Sequence, residues 1–343
     1  MYSLDTISLI NFEISTHCNS KCPLCPRYDM QGHINKDLTL QHIDVNTVTK
    51  IPVDKMPNLK TIYLVGNFGD PLMHPKIETI LDHFQNQKIV ISTNASLRDE
   101  TWWSNMANRK NLEVIFAIDG LEDTHHLYRR ETDFSKIMRN AKSFIASGGT
   151  AIWQYIVFKH NEHQVAEAKK LSQEMGFREI DLMYTDRFEL SNTFKVFDKG
   201  KYLYDLEKAT EQKTLRDKLG SPEGEKQWKS LHKNYTGGPI ECVWSRNKKI
   251  YIHSDGTVFA CCHIGGIQSG RNIEKMLYTK IIKNVDSVNL SKNSFEDIIG
   301  SEAFQKHLPE SLRGKPFSHP VCVEFCNKDT GRIANEGLTV VNT

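Results

Sequence analysis

Residues 18–25 read C-N-S-K-C-P-L-C, which places Cys18, Cys22 and Cys25 in one short loop. Iron–sulfur clusters are held by Cys thiolates at short spacings of this kind. Three thiolates bind three irons of a cubane [4Fe–4S] cluster and leave the fourth iron open to a small molecule. Zinc is the alternative, but a closed zinc site takes four ligands, and the fourth would have to come from His17 or a distant residue.

The cysteine loop follows the first of six predicted strands, which alternate with helices. The strands are Ile10–Ser15, Thr61–Val65, Lys88–Ser92, Leu112–Ile118, Ala151–Phe158 and Glu179–Met183. The helices are Ile77–Gln85, Asp99–Asn108, Phe134–Ser147 and Glu162–Met175. This alternation indicates parallel strands joined by right-handed crossovers. We therefore predict the α/β class, with a partial (β/α)6 TIM-type barrel whose site lies at the C-terminal ends of the strands.

The composition excludes several classes of function. The chain has 343 residues, a net charge of +2 and 39% hydrophobic residues, so we expect no nucleic-acid or membrane partner. The first residues lack the basic start and the apolar core of a signal peptide, and a cytoplasmic location is expected. In a reducing compartment the eight cysteines are not expected to form disulfides. They fall into two groups along the chain, which indicates two metal centres.

We predict four segments along the chain. A small α+β domain near the C-terminus has a β-hairpin, Lys248–His253 with Thr257–Ala260, and a helix, Phe295–His307. The segment before it is polar and charged, and its composition fits either a helical excursion or a linker. The predicted boundaries are 1–186 for the barrel core, 187–239 for the charged helical or linker segment, 240–330 for the small cluster-binding domain and 331–343 for a tail.

The spacing C-x3-C-x2-C resembles the signature of the radical S-adenosylmethionine (radical SAM) superfamily. This resemblance implies that the open iron of a [4Fe–4S] cluster binds S-adenosylmethionine (SAM). One electron from the cluster then cleaves SAM, and the 5′-deoxyadenosyl radical removes a hydrogen atom from a substrate. The resemblance also implies a one-electron reductant, such as flavodoxin or ferredoxin, as a partner.

Further motifs of that family occur in the expected order after successive strands. They are G-N-F-G-D-P-L-M-H-P at 66–75, S-T-N-A-S at 92–96 and A-I-D-G at 117–120, followed by His and Arg residues. The resemblance implies SAM contacts at Leu24, Gly69, Asp70, Pro71, Thr93, Asn94, Asp119, Arg130 and Gln154. Turn and cap residues are the alternative for the Gly-Asp-Pro and Ser-Thr-Asn motifs. Arg130 is preferred to Arg129 as the partner of the SAM carboxylate.

The second group of cysteines resembles the SPASM/Twitch extension of radical SAM enzymes. Cys242 is followed by Gly256 and Cys261, and then by Cys322 and Cys326. The resemblance implies that these four thiolates hold an auxiliary [4Fe–4S] cluster, and their number favours the shorter Twitch form with one cluster. The last pair departs from the common C-x2-C spacing. A closed four-Cys zinc site is the alternative here.

The leading functional hypothesis is an oxidoreductase-type radical SAM enzyme whose auxiliary cluster relays an electron. Its substrate is a small molecule or a peptide. A peptide epimerase or cross-linking enzyme that matures ribosomal peptides is the second hypothesis, with the spare Cys262 as a hydrogen-atom donor. A non-catalytic zinc-binding interaction protein is the third. Arg187 and Glu189, just past the sixth strand, are candidate substrate contacts.

Overall fold

The computed structural model describes residues 2–188, 191–211, 237–266 and 281–314, together with Cys322 and Cys326. The chain divides into two compact units that interleave along the sequence. The terminal unit holds Met1–Phe12, Ile43–Ile62 and Lys213–Thr343, and the central unit holds Glu13–His42 and Tyr63–Gln212. The predicted tail, 331–343, lies outside the described residues.

The regular elements of the described residues are numbered in chain order. The strands are β1 Leu9–Phe12, β2 Thr61–Leu64, β3 Lys88–Thr93, β4 Leu112–Ala117, β5 Thr150–Ile156, β6 Glu179–Met183, β7 Thr193–Asp198, β8 Lys201–Glu207, β9 Lys249–Ile252 and β10 Val258–Phe259. The helices are α1 Val45–Val48, α2 Ile77–His83, α3 Glu100–Met106, α4 His125–Tyr128, α5 Phe134–Ala146, α6 Val165–Met175, α7 Val243–Arg246, α8 Cys262–Gly266, α9 Phe295–Gly300 and α10 Leu308–Ser311.

The central unit is α/β, as predicted. Its strands run in the order β2-β3-β4-β5-β6, and the three pairs from β3 to β6 are parallel. Helices α2, α3, α5 and α6 each connect one strand to the next, which is the pattern that parallel pairing requires. All six predicted strands and all four predicted helices occur, and their ends differ by only a few residues. The polar residues that follow β1 to β5 are therefore at the C-terminal ends of strands.

Aromatic side chains fill the core between the sheet and two helices of the central unit. Phe116 on β4 packs against Trp103 of α3 and Phe144 of α5, with ring centroids 5.1 and 6.0 Å apart. The N-caps fix where these helices begin, because the Asp99 and Asp133 carboxylates accept backbone N–H bonds from the first turn. The packing therefore holds the strand ends, and the loops after them, in fixed positions.

A β-hairpin, β7–β8, follows the sixth strand, within the segment 187–239 for which the sequence predicted a helical excursion or a linker. It is joined by Lys199 and Gly200, both with positive φ, +50° and +83°. A two-residue turn of this kind matches the twist of a hairpin, and Gly adopts its φ without strain. The alternating residues Phe194, Val196 and Leu206 face the interior. Residues 212–236 of the segment lie outside the described part of the chain.

The terminal unit contains the predicted C-terminal hairpin. Strand β9 pairs antiparallel with β10, and on its other side it pairs parallel with β1, so that Ile10 lies beside Ile250. The predicted helix over 295–307 is divided into α9 and a π-helical turn, Ala303–His307. A strand from the start of the chain thus pairs with the C-terminal hairpin. The compact units combine segments that are distant in the sequence, and the predicted domain boundaries stay a prediction.

Candidate active site

The cysteine loop leaves β1 and presents three sulfurs, of which those of Cys18 and Cys22 take part in hydrogen bonds. The Ser20 backbone N–H donates to Cys18 Sγ over 3.3 Å, and the Ser20 hydroxyl lies 3.1 Å from Cys22 Sγ. The Asn94 side-chain amide donates to Cys18 Sγ over 3.7 Å. Sulfurs that accept N–H bonds are typical of thiolates that ligate iron. Cys22 is buried, and Cys18 and Cys25 are half-buried.

The Cys18 and Cys25 thiols favour the protonated form when they carry no metal. Burial is the main cause, and it raises the pKa of both Cys18 and Cys25. For Cys25 the neighbouring Arg187 and Arg27 partly oppose this rise. A bound cation is needed to hold such thiols as thiolates, which is the coupling expected at a metal site. The donor set therefore fits a cluster held by three thiolates.

The Gly69–Asp70 turn is anchored to the backbone of the cysteine loop. The Asp70 N–H donates to the His17 carbonyl over 2.8 Å. A side chain at Gly69 would overlap the Ser15 carbonyl and would lie 2.8 Å from the His17 carbonyl oxygen. The predicted G-D-P motif is thus a close contact between two loops, and only a residue without Cβ fits it.

We expect Gly69→Ala to lower the free energy of unfolding by about 3 kcal/mol, because rigid backbone must move to accept the methyl group. Gly300→Ala is the matched control, since no atom lies within 4 Å of the added Cβ there. Thermal unfolding of both variants, followed by circular dichroism, measures the difference. Equal melting temperatures for the two variants would show that the contact does not constrain the cysteine loop.

Asp70 links the turn to the S-T-N motif after β3. Its carboxylate accepts hydrogen bonds from the Leu72 N–H, the Thr93 hydroxyl and the Asn94 N–H, over 2.8 to 2.9 Å. Burial raises the pKa of Asp70, and these bonds partly lower it again. Asp70, Thr93 and Asn94 therefore form one hydrogen-bonded group, and their role as SAM contacts stays a prediction. Because Asn94 also reaches Cys18, the group extends to the cysteine loop.

Asp119, after β4, is fully buried and binds Arg129. Its carboxylate accepts from Arg129 Nε over 2.5 Å and from the Ile156 N–H over 2.5 Å. The guanidinium also donates through Nη1 to Cys22 Sγ over 3.7 Å. The sequence preferred Arg130, but the Arg130 side chain pairs with Asp198 on β7 over 3.1 Å. Of the two arginines, Arg129 is therefore the one whose side chain reaches the cysteine loop.

The remaining predicted contacts lie on the cysteine loop itself, in the turn after Asp70 and on β5. Leu24 is buried, and its carbonyl accepts from Arg187 Nη1 over 3.1 Å. The Gln154 side chain hydrogen-bonds to Asp181 on the neighbouring strand β6. Pro71 is buried in the first turn after Asp70. Glu189 lies outside the described residues.

The β7–β8 hairpin covers one side of the cysteine loop. Its inward residues form an apolar cluster with the loop and with the end of β5, comprising Cys22, Leu24, Tyr128, Phe158, Phe188, Val196 and Leu206. Asp198 at the end of β7 accepts from Arg130 and lies 3.6 Å from Lys21 Nζ of the loop. The sequence did not predict this contact, because it depends on packing between segments that are far apart in the chain.

The second group of cysteines surrounds one small apolar cavity in the terminal unit. Cys242, Cys261, Cys322 and Cys326 line it. Hydrogen bonding from Cys326 is the main cause that lowers the pKa of Cys242 to about 7, and burial raises the pKa of Cys322 to about 12. Four thiols around one cavity, which His263 also lines and which no Asp or Glu of the described residues lines, fit the four-Cys ligation of an iron–sulfur cluster.

Cys262 begins helix α8, directly after Cys261, and is half-buried. It is not among the residues that line the cavity. Among the residues that the structure describes, no three His, Cys, Asp or Glu side chains are placed to share a single metal ion.

Family models match both halves of this arrangement. Residues 12–172 match the radical SAM superfamily, and residues 242–328 match the SPASM iron–sulfur cluster-binding domain. The chain belongs to the radical SAM superfamily. Its cofactors are SAM and [4Fe–4S] clusters, as in the sequence-based prediction. Whether the second domain of this radical SAM protein holds one cluster, as the Twitch form would, stays a prediction.

Solved radical SAM structures share the fold at low sequence identity. Streptococcus suis SuiB bound to precursor peptide SuiA has a TM-score of 0.56 and 13% identity, with 92% of this chain and 71% of SuiB covered. Native anSMEcpe with bound AdoMet and Cp18Cys peptide has a TM-score of 0.52 and 16% identity, with 88% and 82% covered. No curated protein matches this chain in sequence. None of the helices in the described ranges has the length and apolar character to cross a membrane.

Proposed function

We propose that this protein is an oxidoreductase-type radical SAM enzyme that modifies a peptide, with an auxiliary [4Fe–4S] cluster that relays an electron. The observation that carries the proposal is the cysteine loop, in which the Cys18 and Cys22 sulfurs accept hydrogen bonds and the backbone is anchored to the Gly69–Asp70 turn. When bound, the first cluster and SAM supply a 5′-deoxyadenosyl radical that removes a hydrogen atom from the substrate.

Each group of residues has a distinct role in this proposal. Cys18, Cys22 and Cys25 hold the first cluster. Asp70 positions Thr93 and Asn94, because its carboxylate accepts hydrogen bonds from both of them as well as from the Leu72 N–H of its own turn. The proposed SAM contacts are Leu24, Gly69, Asp70, Pro71, Thr93, Asn94, Asp119, Arg130 and Gln154. Arg187 stays a candidate substrate contact, since its side chain reaches the Leu24 carbonyl beside the cluster ligands.

The second domain supports an electron-transfer role. Four cysteines around one cavity leave no iron open for substrate if all of them ligate. A dehydrogenation or a bond formation must remove a second electron from the product radical, and a fully ligated cluster is suited to accept it. The reductant that starts the reaction is a flavodoxin or ferredoxin in this proposal, and the enzyme works in the cytoplasm.

A peptide is the preferred substrate because two solved neighbours contain peptides, SuiA in SuiB and Cp18Cys in anSMEcpe. A small molecule is the second candidate. The test is an anaerobic assay with dithionite, SAM and either a synthetic peptide encoded beside the gene or an aminocyclitol. We expect 5′-deoxyadenosine in stoichiometric amounts and a peptide that has lost two hydrogens. Turnover of the aminocyclitol alone would overturn the peptide assignment.

The same assay in D2O separates oxidation from epimerisation. An epimerase takes a hydrogen atom from one face and returns another, so its product keeps its mass in water and gains deuterium in D2O. Cys262 is the candidate donor of that atom. If Cys262→Ala stopped deuterium incorporation while 5′-deoxyadenosine still formed, the protein would be an epimerase and the electron-relay role would be wrong.

A further inference from the structure

The Arg129 side chain donates a hydrogen bond to a cysteine sulfur of the loop. Its Nη1 lies 3.7 Å from Cys22 Sγ, while its Nε donates to Asp119 over 2.5 Å. The side chain is only 15% exposed, and the Asp119 side chain is fully buried. We expect the Arg129 guanidinium to stay in this position, because moving it into solvent would leave the buried Asp119 carboxylate without its cationic partner.

The backbone fixes the guanidinium relative to the sulfur. Arg129 directly follows helix α4, and its N–H donates to the His125 carbonyl over 2.9 Å. The carbonyl of the next residue, Arg130, accepts from the Lys21 N–H over 3.0 Å and from the Ser20 hydroxyl over 3.2 Å. The segment 129–130 therefore holds the cysteine loop by its backbone and places one positive charge against Cys22.

We propose that Arg129 raises the reduction potential of the cluster held by Cys18, Cys22 and Cys25, and that Asp119 positions Arg129 and limits this effect. The inference rests on the proposed function, which assigns these cysteines as cluster ligands. Reduction adds one electron and forms no bond, so a nearby positive charge favours the reduced state. Net charge and hydrogen bonds to the sulfurs are known determinants of iron–sulfur potentials.

The test is a dithionite titration of the reconstituted protein, without SAM, followed by electron paramagnetic resonance. Arg129→Met removes the charge and keeps an unbranched chain of similar length. We expect the equilibrium constant for reduction to fall by about tenfold, which is about 59 mV towards negative potential for a one-electron couple. Arg129→Lys, which keeps the charge, is expected to recover at least part of the shift. Because SAM is absent, a role of Arg129 in SAM binding does not affect this measurement.

Arg178→Met is the matched control. Arg178 also pairs with a buried carboxylate, Glu113, although its own side chain is 43% exposed, and this pair lies at the N-terminal end of β4. We expect Arg178→Met to leave the potential of the first cluster unchanged. A shift as large as that of Arg129→Met would mean that loss of any buried ion pair perturbs the cluster, and the proposal would be wrong.

Asp119→Asn is expected to shift the reduction potential of the first cluster in the opposite direction. It also tests the proposal if Arg129→Met fails to assemble a cluster. Without the carboxylate, the charge of Arg129 is less compensated, so we expect the potential to become more positive. Unchanged potentials in Arg129→Met and Asp119→Asn, with a normal wild-type signal, would overturn the role of Arg129. A wild-type protein without a cluster signal would instead overturn the proposed function.

Discussion

Replacing Cys18, Cys22 and Cys25 together with Ala is expected to abolish formation of 5′-deoxyadenosine and to remove one of the two proposed clusters. The three residues are the proposed thiolate ligands in the loop after β1, and Ala offers iron no ligand. Burial already raises the pKa of the Cys18 and Cys25 thiols, so their ionisation depends on the bound metal. Iron and sulfide analysis of the anaerobically reconstituted protein, together with chromatographic assay of 5′-deoxyadenosine, measures both effects.

The matched control for this triple variant is Cys262→Ala. Cys262 is half-buried in helix α8 and is assigned to neither group of ligands. We expect its iron and sulfide content to equal that of the wild type, whereas the triple variant keeps only the iron of the auxiliary cluster. Formation of 5′-deoxyadenosine by the reduced triple variant would contradict the assignment of the first cluster.

Cys242→Ala is expected to stop product formation and to spare uncoupled cleavage of SAM. Cys242 lines the cavity of the second group and hydrogen-bonds to Cys326, so its loss removes one of the four proposed ligands. The proposed ligands of the first cluster lie in the central unit and are not changed by this substitution. Parallel measurement of 5′-deoxyadenosine and of product by mass spectrometry separates the two steps.

The comparison of the two readouts decides the role of the auxiliary cluster. Ser245→Ala is the control at this site, because Ser245 also lines the cavity but its contact with Cys242 Sγ is made by the backbone N–H, which Ala retains. We expect Ser245→Ala to keep product formation. If Cys242→Ala made product at the wild-type rate, an electron relay through this domain would be excluded.

The sequence predicted the elements whose signal is local. The buried strands β2 to β5 are short apolar runs, and the polar residues Asp70, Asn94 and Asp119 lie in the segments that follow β2, β3 and β4. The cysteine loop and the motifs at Asp70, Asn94 and Asp119 can therefore be identified from the sequence alone. Their mutual contacts follow from parallel pairing, which places the ends of neighbouring strands together.

Features that depend on distant pairing were not predicted. The choice between Arg129 and Arg130 is made by the backbone after α4, which turns one side chain to Asp119 and the other to Asp198. Hairpin β7–β8 buries only one face. The charged residues on its other face make the segment polar overall, so the alternation of Phe194 and Val196 did not lead to a strand prediction. The pairing of β1 with β9 joins segments that are distant in the sequence, with Leu9 beside Lys249, and no local pattern reveals it.

Electron paramagnetic resonance of the dithionite-reduced, reconstituted protein, recorded with and without SAM, tests the central claim most directly. The proposed function predicts a cubane signal that changes when SAM is added, because the open iron gains a new ligand, and it predicts that the Cys18, Cys22 and Cys25 triple variant lacks this SAM-dependent change. Absence of any cubane signal, or a signal that SAM leaves unchanged, would contradict it.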